Sequence, residues 1–345
     1  MNSVKHDEQL KFLADKLSGK TILVSGATGL IGARIIALIA TLHKDYDESI
    51  KSIGLYRSKS KLNKMMPVIP EGISFIQWDM DEEQEPNIGK YDAIIHCAGI
   101  SGGKKMHLKD PRRFFTTNIG SMQKLLDYNA KHCKAPFLFV STYEVYGDVQ
   151  QETPFKEDYP CSVDTFAVRS SYAEMKRMSE MMCCMWSSQF GFDSYSVRLT
   201  STFGEGVEYD DPRFFAEFAR CIIEGCDIVL KSTGGTVRSY LDADDAAIAM
   251  LYVIANGQNC NAYNLTNMQN AISIRDIANR MIKVAGSDIE LKFDIAEDVS
   301  KLGYRKEGCT LMDSTKLMDL GWEPVYTLDE TIEKMIESMK KTNNR

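Results

Sequence analysis

Short apolar segments recur along the first 200 residues of the chain, and stretches with apolar residues at helical spacing separate them. This alternation of apolar strands with helices is typical of a parallel sheet covered by helices on both faces. We therefore predict an α/β fold with a Rossmann-like, doubly wound parallel sheet. The predicted strands are 20–25, 51–56, 73–79, 91–99, 136–142 and 193–201, and the predicted helices between them include 33–43, 111–132 and 170–191.

The pattern changes after about residue 200, where loops lengthen and helices predominate. We interpret this part as a smaller, mainly helical substrate lobe placed over the carboxyl ends of the strands, where open parallel sheets bind ligands. Its helices are predicted at 211–225, 242–257, 273–286 and 327–341. The predicted domains are a helical extension at 1–19, a dinucleotide-binding Rossmann domain at 20–200 and a substrate-binding lobe at 201–345, with a soft boundary that the chain can cross more than once.

The composition of the 345 residues argues against several classes of protein. A formal net charge of −7 does not favour nucleic acid as a partner. No apolar run reaches the ~18 residues that a membrane span requires, and the charged N-terminus lacks the apolar centre of a signal peptide. The nine cysteines are scattered and lack the spacing of a zinc site, so we expect reduced thiols, no metal and a cytoplasmic location.

A glycine-rich turn separates the first predicted strand from the first predicted helix. The segment "VSGATGLIGAR" places Gly26, Gly29 and Gly32 there. The first glycine permits a tight turn, the second lets the backbone approach a pyrophosphate, and the third lets helix and strand pack closely. The pyrophosphate then lies at the helix N-terminus, where free N–H groups favour an anion. This turn predicts dinucleotide binding.

Residues at the end of the second predicted strand are expected to contact the ribose of that dinucleotide. An acid there accepts hydrogen bonds from the 2′-hydroxyl of NAD, whereas an arginine accommodates the 2′-phosphate of NADP. The segment "LYRSKSK" offers Arg57 and Lys59 and no acid, which favours NADP unless both are simply surface charges. Asp79, after the third strand, is a candidate to contact the adenine ring.

Candidate catalytic residues lie in the segment "SSYAEMK". Tyr172 and Lys176 are four residues apart, so both lie on one face of a helix. A lysine near a tyrosine favours the phenolate and is expected to lower its pKa toward neutrality. Tyr172 is therefore a plausible general base for an alcohol proton. Thr142, at the end of the fifth predicted strand, adds a hydroxyl.

Together with the glycine turn, these residues resemble the extended short-chain dehydrogenase/reductases, and within them the nucleotide-sugar epimerases, dehydratases and decarboxylases. Asn118 in "TTNIGS", the segment "VYG" at 145–147 and "RSYLDADDAA" at 238–247 match as well, so the resemblance covers nearly the whole chain after residue 19. It implies a nucleoside-diphosphate sugar as substrate, with Arg238 binding the diphosphate. It also implies a homodimer, paired through helices 111–132 and 170–191, and a role in making a surface polysaccharide precursor.

The resemblance and the residue patterns give one set of candidate site residues. Cofactor binding is expected from Gly26, Thr28, Gly29, Leu30, Ile31, Gly32, Arg57, Asp79, Met80, Ala98, Asn118, Tyr172 and Lys176. The expected catalytic residues are Thr142, Glu144, Tyr172 and Lys176, and the expected substrate contacts are Tyr143, Ser201 and Arg238. The expected cofactor is NAD, usual for the family, or NADP, favoured by Arg57.

The segment "STYEVYG" bears on which reaction follows. The resemblance implies a shared first step, oxidation of the sugar at C4, with Tyr172 accepting the hydroxyl proton. Simple 4-epimerases of the family usually lack a glutamate at the position of Glu144, whereas dehydratases and uronic-acid decarboxylases carry one. Tyr143 stands where dehydratases carry aspartate and decarboxylases a small hydroxyl residue. We therefore expect dehydratase or decarboxylase chemistry, unless Glu144 only caps the nearby turn.

Two other functions stay open. Arg57 suits an NADPH-dependent reductase of a nucleotide-linked keto sugar or polyol. A non-catalytic dinucleotide-binding regulator is the remote alternative, since such proteins typically lose the tyrosine or the lysine. Ser201 and Glu205 replace the asparagine and proline common in the family, so substrate contacts should differ. Core or dimer packing is expected of the helix 170–191 methionines, which are Met175, Met178, Met181, Met182 and Met185.

Overall fold

A parallel sheet of seven strands forms the centre of the molecule. The computed structural model describes residues 2–80, 84–100, 110–149, 151–296 and 307–343. The strands are β1 Thr21–Ser25, β2 Lys51–Tyr56, β3 Ile73–Gln77, β4 Ala93–His96, β5 Phe137–Thr142, β6 Ser194–Leu199 and β10 Asn261–Leu265. Their order is β10-β6-β5-β4-β1-β2-β3, with every neighbouring pair parallel. The predicted doubly wound α/β fold is confirmed.

Helices cover both faces of this sheet. They are α1 Asn2–Leu17, α2 Leu30–Asp45, α3 Lys59–Met65, α4 Gly120–His132, α5 Ser171–Phe190, α6 Phe214–Glu224, α7 Ala243–Asn256, α8 Ile274–Val284, α9 Thr315–Met318 and α10 Leu328–Asn343. A π-helix at Phe114–Ile119 leads into α4, and short 3₁₀ helices lie at Tyr143–Tyr146 and Val168–Ser170. Within the described ranges, no helix is long and apolar enough to cross a membrane.

Side-chain alternation along β1 shows why the sheet is apolar throughout. Ile22 and Val24 pack into the core shared with α2 and α7, whereas Leu23 points into the core shared with α4 and α5. All three are fully buried. Successive strand residues face opposite sides of a sheet, so a strand covered on both sides needs an unbroken apolar run. Burial of each such side chain stabilises the fold by about 1.5–3 kcal/mol.

The seventh strand was not predicted from the sequence. Residues Asn261–Leu265 pair in parallel with β6, so the chain returns to the central sheet after residue 200. The strand is short, and its polar residues Asn261 and Asn264 interrupt the apolar run. Asn264 is buried, and its side-chain polar atoms are all paired. Its side-chain oxygen accepts a hydrogen bond from the Tyr146 hydroxyl at 2.6 Å, and its side-chain nitrogen donates to backbone carbonyls.

The remaining part of the C-terminal half forms a separate layer with its own apolar core. Helices α6, α8 and α10 pack there against short strands that the hydrophobic pattern did not predict. These strands are β7 Ser201–Phe203, β8 Ile228–Leu230, β9 Val237–Asp242, β11 Asn267–Ser273, β12 Leu291–Phe293 and β13 Cys309–Thr310. Strand β9 pairs with β7, β11 and β13, which places its side chains next to the end of β6.

The N-terminal helix α1 is part of the main core. Its residues Leu10, Leu13 and Leu17 are buried in the cluster that contains α2 and α7. The ring of Phe12 stacks on Tyr252 of α7 with centroids 4.7 Å apart. An extension that buries this much apolar surface stabilises the sheet domain through direct packing.

Candidate active site

The glycine turn has the close contacts that its sequence predicted. Gly26 adopts a left-handed φ of 68°, and a Cβ there would lie 2.7 Å from the backbone nitrogen of Ala98. A Cβ on Gly32 would lie 2.3 Å from the Gly26 carbonyl oxygen. The Gly29 N–H donates to the same carbonyl at 2.9 Å. Only glycine fits Gly26 and Gly32, because the obstructing atoms are backbone.

Helix α2 begins directly after this turn, with Gly29 as its N-cap. No described side chain caps this end, so its first N–H groups are available to an external acceptor. Thr28, Leu30 and Ile31 are partly buried around the same turn. A helix N-terminus with free donors and a glycine surface that admits close approach fits the pyrophosphate of a dinucleotide.

The candidate ribose and adenine residues lie at the ends of β2 and β3. The Arg57 side chain is exposed, and its backbone carbonyl accepts a hydrogen bond from Gln77 at 3.1 Å. Asp79 and Met80 are partly buried after β3, and Lys124 donates to the Met80 carbonyl at 2.7 Å. The contacts of these residues with ribose and adenine stay predictions, as does the choice between NAD and NADP.

Asn118 organises the chain that leaves β4. Its side-chain oxygen accepts from the Ile100 N–H at 2.7 Å and its side-chain nitrogen donates to the Ile100 carbonyl at 3.3 Å. Ala98, in the same connection, donates its N–H to Ser25 at 3.3 Å. Asn118 therefore shapes the predicted cofactor wall through the backbone of this connection.

His96, at the end of β4, is a buried neutral histidine. Its Nδ1 lies 2.6 Å from the Ser25 hydroxyl oxygen. Burial lowers its pKa to about 3, and the nearby Lys176 ammonium acts in the same direction. Its hydrogen bond and burial indicate a structural role.

Helix α5 brings Tyr172 and Lys176 to the carboxyl end of β5. The Lys176 ammonium donates to the Val140 carbonyl at 2.7 Å and lies 5.8 Å from the centre of the Tyr172 ring. Burial lowers the pKa of Lys176 to about 8. Thr142 is buried at the end of β5 and accepts a hydrogen bond from the Glu144 N–H at 3.3 Å.

The pKa of Tyr172 is raised, and the prediction that Lys176 lowers it toward neutrality is wrong for this structure. Burial is the main cause, and Glu144 and Tyr143 raise the pKa further. Desolvation disfavours the charged phenolate, and the nearby carboxylate repels it. Because Lys176 donates to the Val140 carbonyl, its hydrogen bond does not reach the phenol.

Glu144 points into the same region. Its Oε2 accepts a hydrogen bond from Arg169 Nη1 at 2.9 Å, and only 12% of its side chain is exposed. It is close enough to raise the pKa of both Tyr172 and Arg238. The side-chain cap of the 3₁₀ helix Tyr143–Tyr146 comes from Thr142. The carboxylate of Glu144 is therefore directed at neighbouring side chains.

Arg238 reaches this region from β9. Its Nη1 donates to the Tyr143 hydroxyl at 2.7 Å and to the Ser201 hydroxyl at 3.5 Å. Its guanidinium carbon lies 5.6 Å from the centre of the Tyr143 ring. The structure thus brings the three predicted substrate residues together, next to Glu144.

Several buried polar atoms nearby have no hydrogen-bond partner among the described residues. They are Arg169 Nε, Ser171 Oγ, Arg238 Nε and the Tyr240 hydroxyl. Buried donors left unpaired cost about 1–3 kcal/mol each, so a pocket that contains them is suited to a polar ligand.

Three residues of this region were not predicted from the sequence. Arg169 lies three residues before Tyr172, a spacing that was available as a signal. Tyr240 follows Arg238 by two, which places both on one face of a strand. Arg213, which lowers the pKa of Tyr172, lies in the C-terminal layer and has no local pattern that predicts this contact.

The chain is similar to known proteins in both sequence and fold. A family model described as the NAD dependent epimerase/dehydratase family matches residues 22–266. UDP-glucuronic acid decarboxylase 1 of Xenopus tropicalis is 28% identical over 332 residues, which cover 96% of this chain and 75% of that protein. UDP-glucuronic acid decarboxylase 5 of Arabidopsis thaliana is 26% identical over 325 residues, covering 94% and 90%. A structure of UDP-glucuronic acid 4-epimerase from Bacillus cereus, in complex with UDP-glucuronic acid and NAD, aligns with a TM-score of 0.78 at 20% identity and covers 93% of this chain and 99% of that one.

Proposed function

Because this chain belongs to the NAD-dependent epimerase/dehydratase family, we propose that it decarboxylates a nucleoside-diphosphate uronic acid, with UDP-glucuronic acid as the first candidate. Family membership, predicted from the sequence, is confirmed, and with it enzymatic action on a nucleotide sugar. Decarboxylation is the narrower proposal. The observation that carries it is the Glu144 carboxylate, directed toward Arg169 and close to Tyr172.

The hydroxyl of Tyr143 favours decarboxylation over dehydration. Dehydratases of the family carry an aspartate at this position, which protonates the departing hydroxyl group. Decarboxylases carry a small hydroxyl residue there. Tyr143 also presents a hydroxyl, which accepts a hydrogen bond from Arg238 at 2.7 Å. A phenol is a much weaker acid than the carboxylic acid of the dehydratases, so it is poorly suited to expel water.

The relatives named above support a uronic acid as the substrate. Two are UDP-glucuronic acid decarboxylases, and the solved structure holds UDP-glucuronic acid and NAD. Arg238 and Arg169 provide cationic groups suited to an anionic sugar nucleotide. The buried unpaired donors beside them are further candidates to bind its oxygens.

The chain's own residues would act as follows. A bound NAD or NADP, held at the Gly26–Gly32 turn, supplies a hydride acceptor for C4 of the sugar. Tyr172 takes the C4 hydroxyl proton, with the Thr142 hydroxyl beside it. The resulting 4-ketone makes the sugar carboxylate that of a β-keto acid, which loses carbon dioxide and leaves its electron pair as an enolate. Glu144 is placed to supply the proton that C5 then gains. Return of the hydride to C4, with the proton on Tyr172 going back to the C4 oxygen, would give the pentose and leave the cofactor oxidised as at the start.

A reductase is the second candidate, because Arg57 is exposed at the carboxyl end of β2. An arginine there suits the 2′-phosphate of NADPH. A reductase would consume one equivalent of NADPH per turnover, whereas the proposed decarboxylase recycles its cofactor within each turnover.

The test is to incubate the purified protein with UDP-glucuronic acid and follow the sugar nucleotide by mass spectrometry. The expected product is a UDP-pentose that has lost carbon dioxide, with one deuterium at C5 when the reaction runs in D₂O. A 4-epimer of unchanged mass, loss of water, or stoichiometric consumption of NADPH with a 4-keto sugar nucleotide would each replace the proposal by the corresponding activity.

We also propose that the enzyme is a cytoplasmic homodimer paired through α4 and α5. The exposed fractions of Met178, Met181 and Met185 on α5 are 46%, 58% and 48%. Their spacing of three and four places them on one face, which a partner helix would bury. The nine cysteines are all free thiols, as suits a reducing compartment. Sedimentation of the wild type against Met181→Lys tests the dimer, since a buried lysine should yield monomers.

A further inference from the structure

We infer that Arg169 is a positioning residue for the proposed reaction, which holds the Glu144 carboxylate beside Tyr172 and supplies the positive charge that balances it. This inference rests on the proposed function. Arg169 lies in the 3₁₀ helix Val168–Ser170, directly before α5. Its position is therefore tied to the start of the helix that carries Tyr172.

The Arg169–Glu144 ion pair lies largely out of solvent. The N–O distance is 2.9 Å, and the exposed fractions of the two side chains are 29% and 12%. Exposed ion pairs contribute little, whereas a shielded pair is costly to break. Removal of Arg169 would therefore take one hydrogen bond from the Glu144 carboxylate and hold it less firmly in this position.

Charges of both signs meet at Tyr172. Glu144 and Tyr143 raise its pKa in addition to burial, whereas Arg213 and Arg169 lower it. A pocket that holds a carboxylate and must also form a phenolate needs compensating cations. Within the part of the chain that the structure describes, the titratable and charged groups that face Tyr172 are Glu144, Tyr143, Arg169, Arg213 and, from its own helix, Lys176.

Arg169 differs from Arg213 and Arg238 in the group that accepts its hydrogen bond. Arg213 is held by Asp211 through several hydrogen bonds, the shortest 2.6 Å. Arg238 donates to the hydroxyls of Tyr143 and Ser201. Among the described arginines, Arg169 is the one whose hydrogen bond goes to the Glu144 carboxylate. The assignment therefore concerns Arg169 and the carboxylate it holds.

The first test compares Arg169→Gln and Arg169→Lys with Arg177→Gln. Arg177 lies on α5 and pairs with Glu174 at 3.7 Å, so it is a matched control for loss of an arginine near the same helix. We expect Arg169→Gln to lower kcat about 10- to 100-fold with a smaller change in KM, which is less than the ~10²–10⁴-fold contribution of a general acid or base itself. Arg169→Lys should recover part of kcat, because it restores the charge without the planar fork.

The pH dependence of kcat distinguishes a positioning role from a purely structural one, because loss of a structural residue would not shift it. Arg169→Gln should shift the limb of the kcat profile assigned to Tyr172 upward by about one unit, since removal of a cation disfavours the phenolate. In a Glu144→Gln background the same substitution should cost at most a few-fold in kcat, because the pair is already broken. An unshifted limb together with an equal loss of kcat in both backgrounds would overturn the assignment.

A single-turnover experiment can test the role of Arg169 independently of whether the enzyme is a decarboxylase. Formation of the reduced nicotinamide is followed by its absorbance in a single turnover, before any carbon dioxide is released. If the wild type oxidises the sugar but forms a product other than the pentose, decarboxylation is excluded and the Arg169 comparison still stands. If Arg169→Gln matches the wild type in that first step, in the rate of carbon dioxide release and in its pH profile, the positioning role is excluded.

Discussion

Gly32 lies against Gly26 so closely that a Cβ on Gly32 would stand 2.3 Å from the Gly26 carbonyl oxygen. Gly32→Ala should therefore separate helix α2 from the turn and release the cofactor. We expect a loss of about 1–3 kcal/mol in the free energy of unfolding, as for other overpacked sites. Urea unfolding and the dinucleotide content of the purified protein measure both effects. Gly308→Ala is the control, because a Cβ on Gly308 meets nothing within 4 Å. Full dinucleotide content in Gly32→Ala would contradict the proposed fit.

Tyr172→Phe should abolish turnover and leave cofactor binding intact. The substitution removes the phenol but keeps the ring, whose edge packs against Phe114 with centroids 5.5 Å apart. General-base catalysis contributes about 10²–10⁴-fold, so kcat should fall by at least that range. The rate and the bound dinucleotide are measured on the same preparation. Tyr46→Phe, which loses a hydroxyl contact to Asp7 far from β5, should retain activity. Turnover that survives in Tyr172→Phe means that the assigned base is wrong.

Glu144→Gln should shift the pH dependence in the direction opposite to Arg169→Gln. Burial, Glu144 and Tyr143 together raise the pKa of Tyr172. Removal of the carboxylate charge stabilises the phenolate, so the limb assigned to Tyr172 should move to lower pH. Single-turnover oxidation of the sugar at a series of pH values measures this shift. Release of carbon dioxide should fall more than the oxidation step does. A limb that stays in place or moves upward would mean that the Glu144 charge does not act on the Tyr172 phenolate.

The cofactor released from the denatured protein decides the role of Arg57. Tightly held NAD would indicate internal recycling and make Arg57 a surface charge. If the protein instead binds added NADPH better than NADH, Arg57→Ala should remove about tenfold of that preference, because it removes one charged contact to phosphate. Lys51→Ala, at the opposite end of β2, is the control and should leave the preference unchanged. Binding constants for the two cofactors measure the outcome.

His96 should make the fold sensitive to acid. Burial lowers its pKa to about 3 from the ordinary value of about 6.5, so between these pH values the unfolded chain binds a proton that the folded chain does not. Its contribution to stability is full above about pH 6.5 and falls by about 1.4 kcal/mol per unit as the pH drops toward 3. Urea unfolding near neutrality and near pH 5 should show that the free energy of unfolding falls less for His96→Asn than for the wild type. The control His132→Gln, at the exposed end of α4, should lose as much of this free energy as the wild type does. An equal loss in His96→Asn would refute the assignment.

The sequence predicted most of the Rossmann sheet because the information is local. Each of β1, β2 and β5 contains a short apolar segment, and the glycine turn after β1 has the spacing typical of a dinucleotide-binding turn. Strand β10 escaped notice because Asn261 and Asn264 interrupt its apolar character. The hydrogen bond between Asn264 and Tyr146 that permits this burial joins residues 118 positions apart. No local pattern contains that partner.

The candidate site was predictable where one motif supplies the residues. Thr142, Glu144, Tyr172 and Lys176 lie in two short segments, and the fold brings these segments together at the end of β5. The direction of the Tyr172 pKa shift was not predictable, because burial is a property of the folded pocket. The Arg169–Glu144 bond likewise depends on how the chain between residues 144 and 169 returns to the pocket.

The place of β10 in the sheet has a consequence for how the chain acquires its structure during synthesis. Asn261 pairs with Tyr195 and Leu265 with Leu199, so strand β6 lacks its outer neighbour until the ribosome has released some sixty further residues. Between these strands the chain builds α6 and α7 and three strands of the second layer. The nascent protein therefore carries an unpaired strand edge while the pocket is still incomplete, an arrangement prone to pairing with other chains. Closure of that edge and completion of the Arg238 side of the pocket occur within the same stretch of translation.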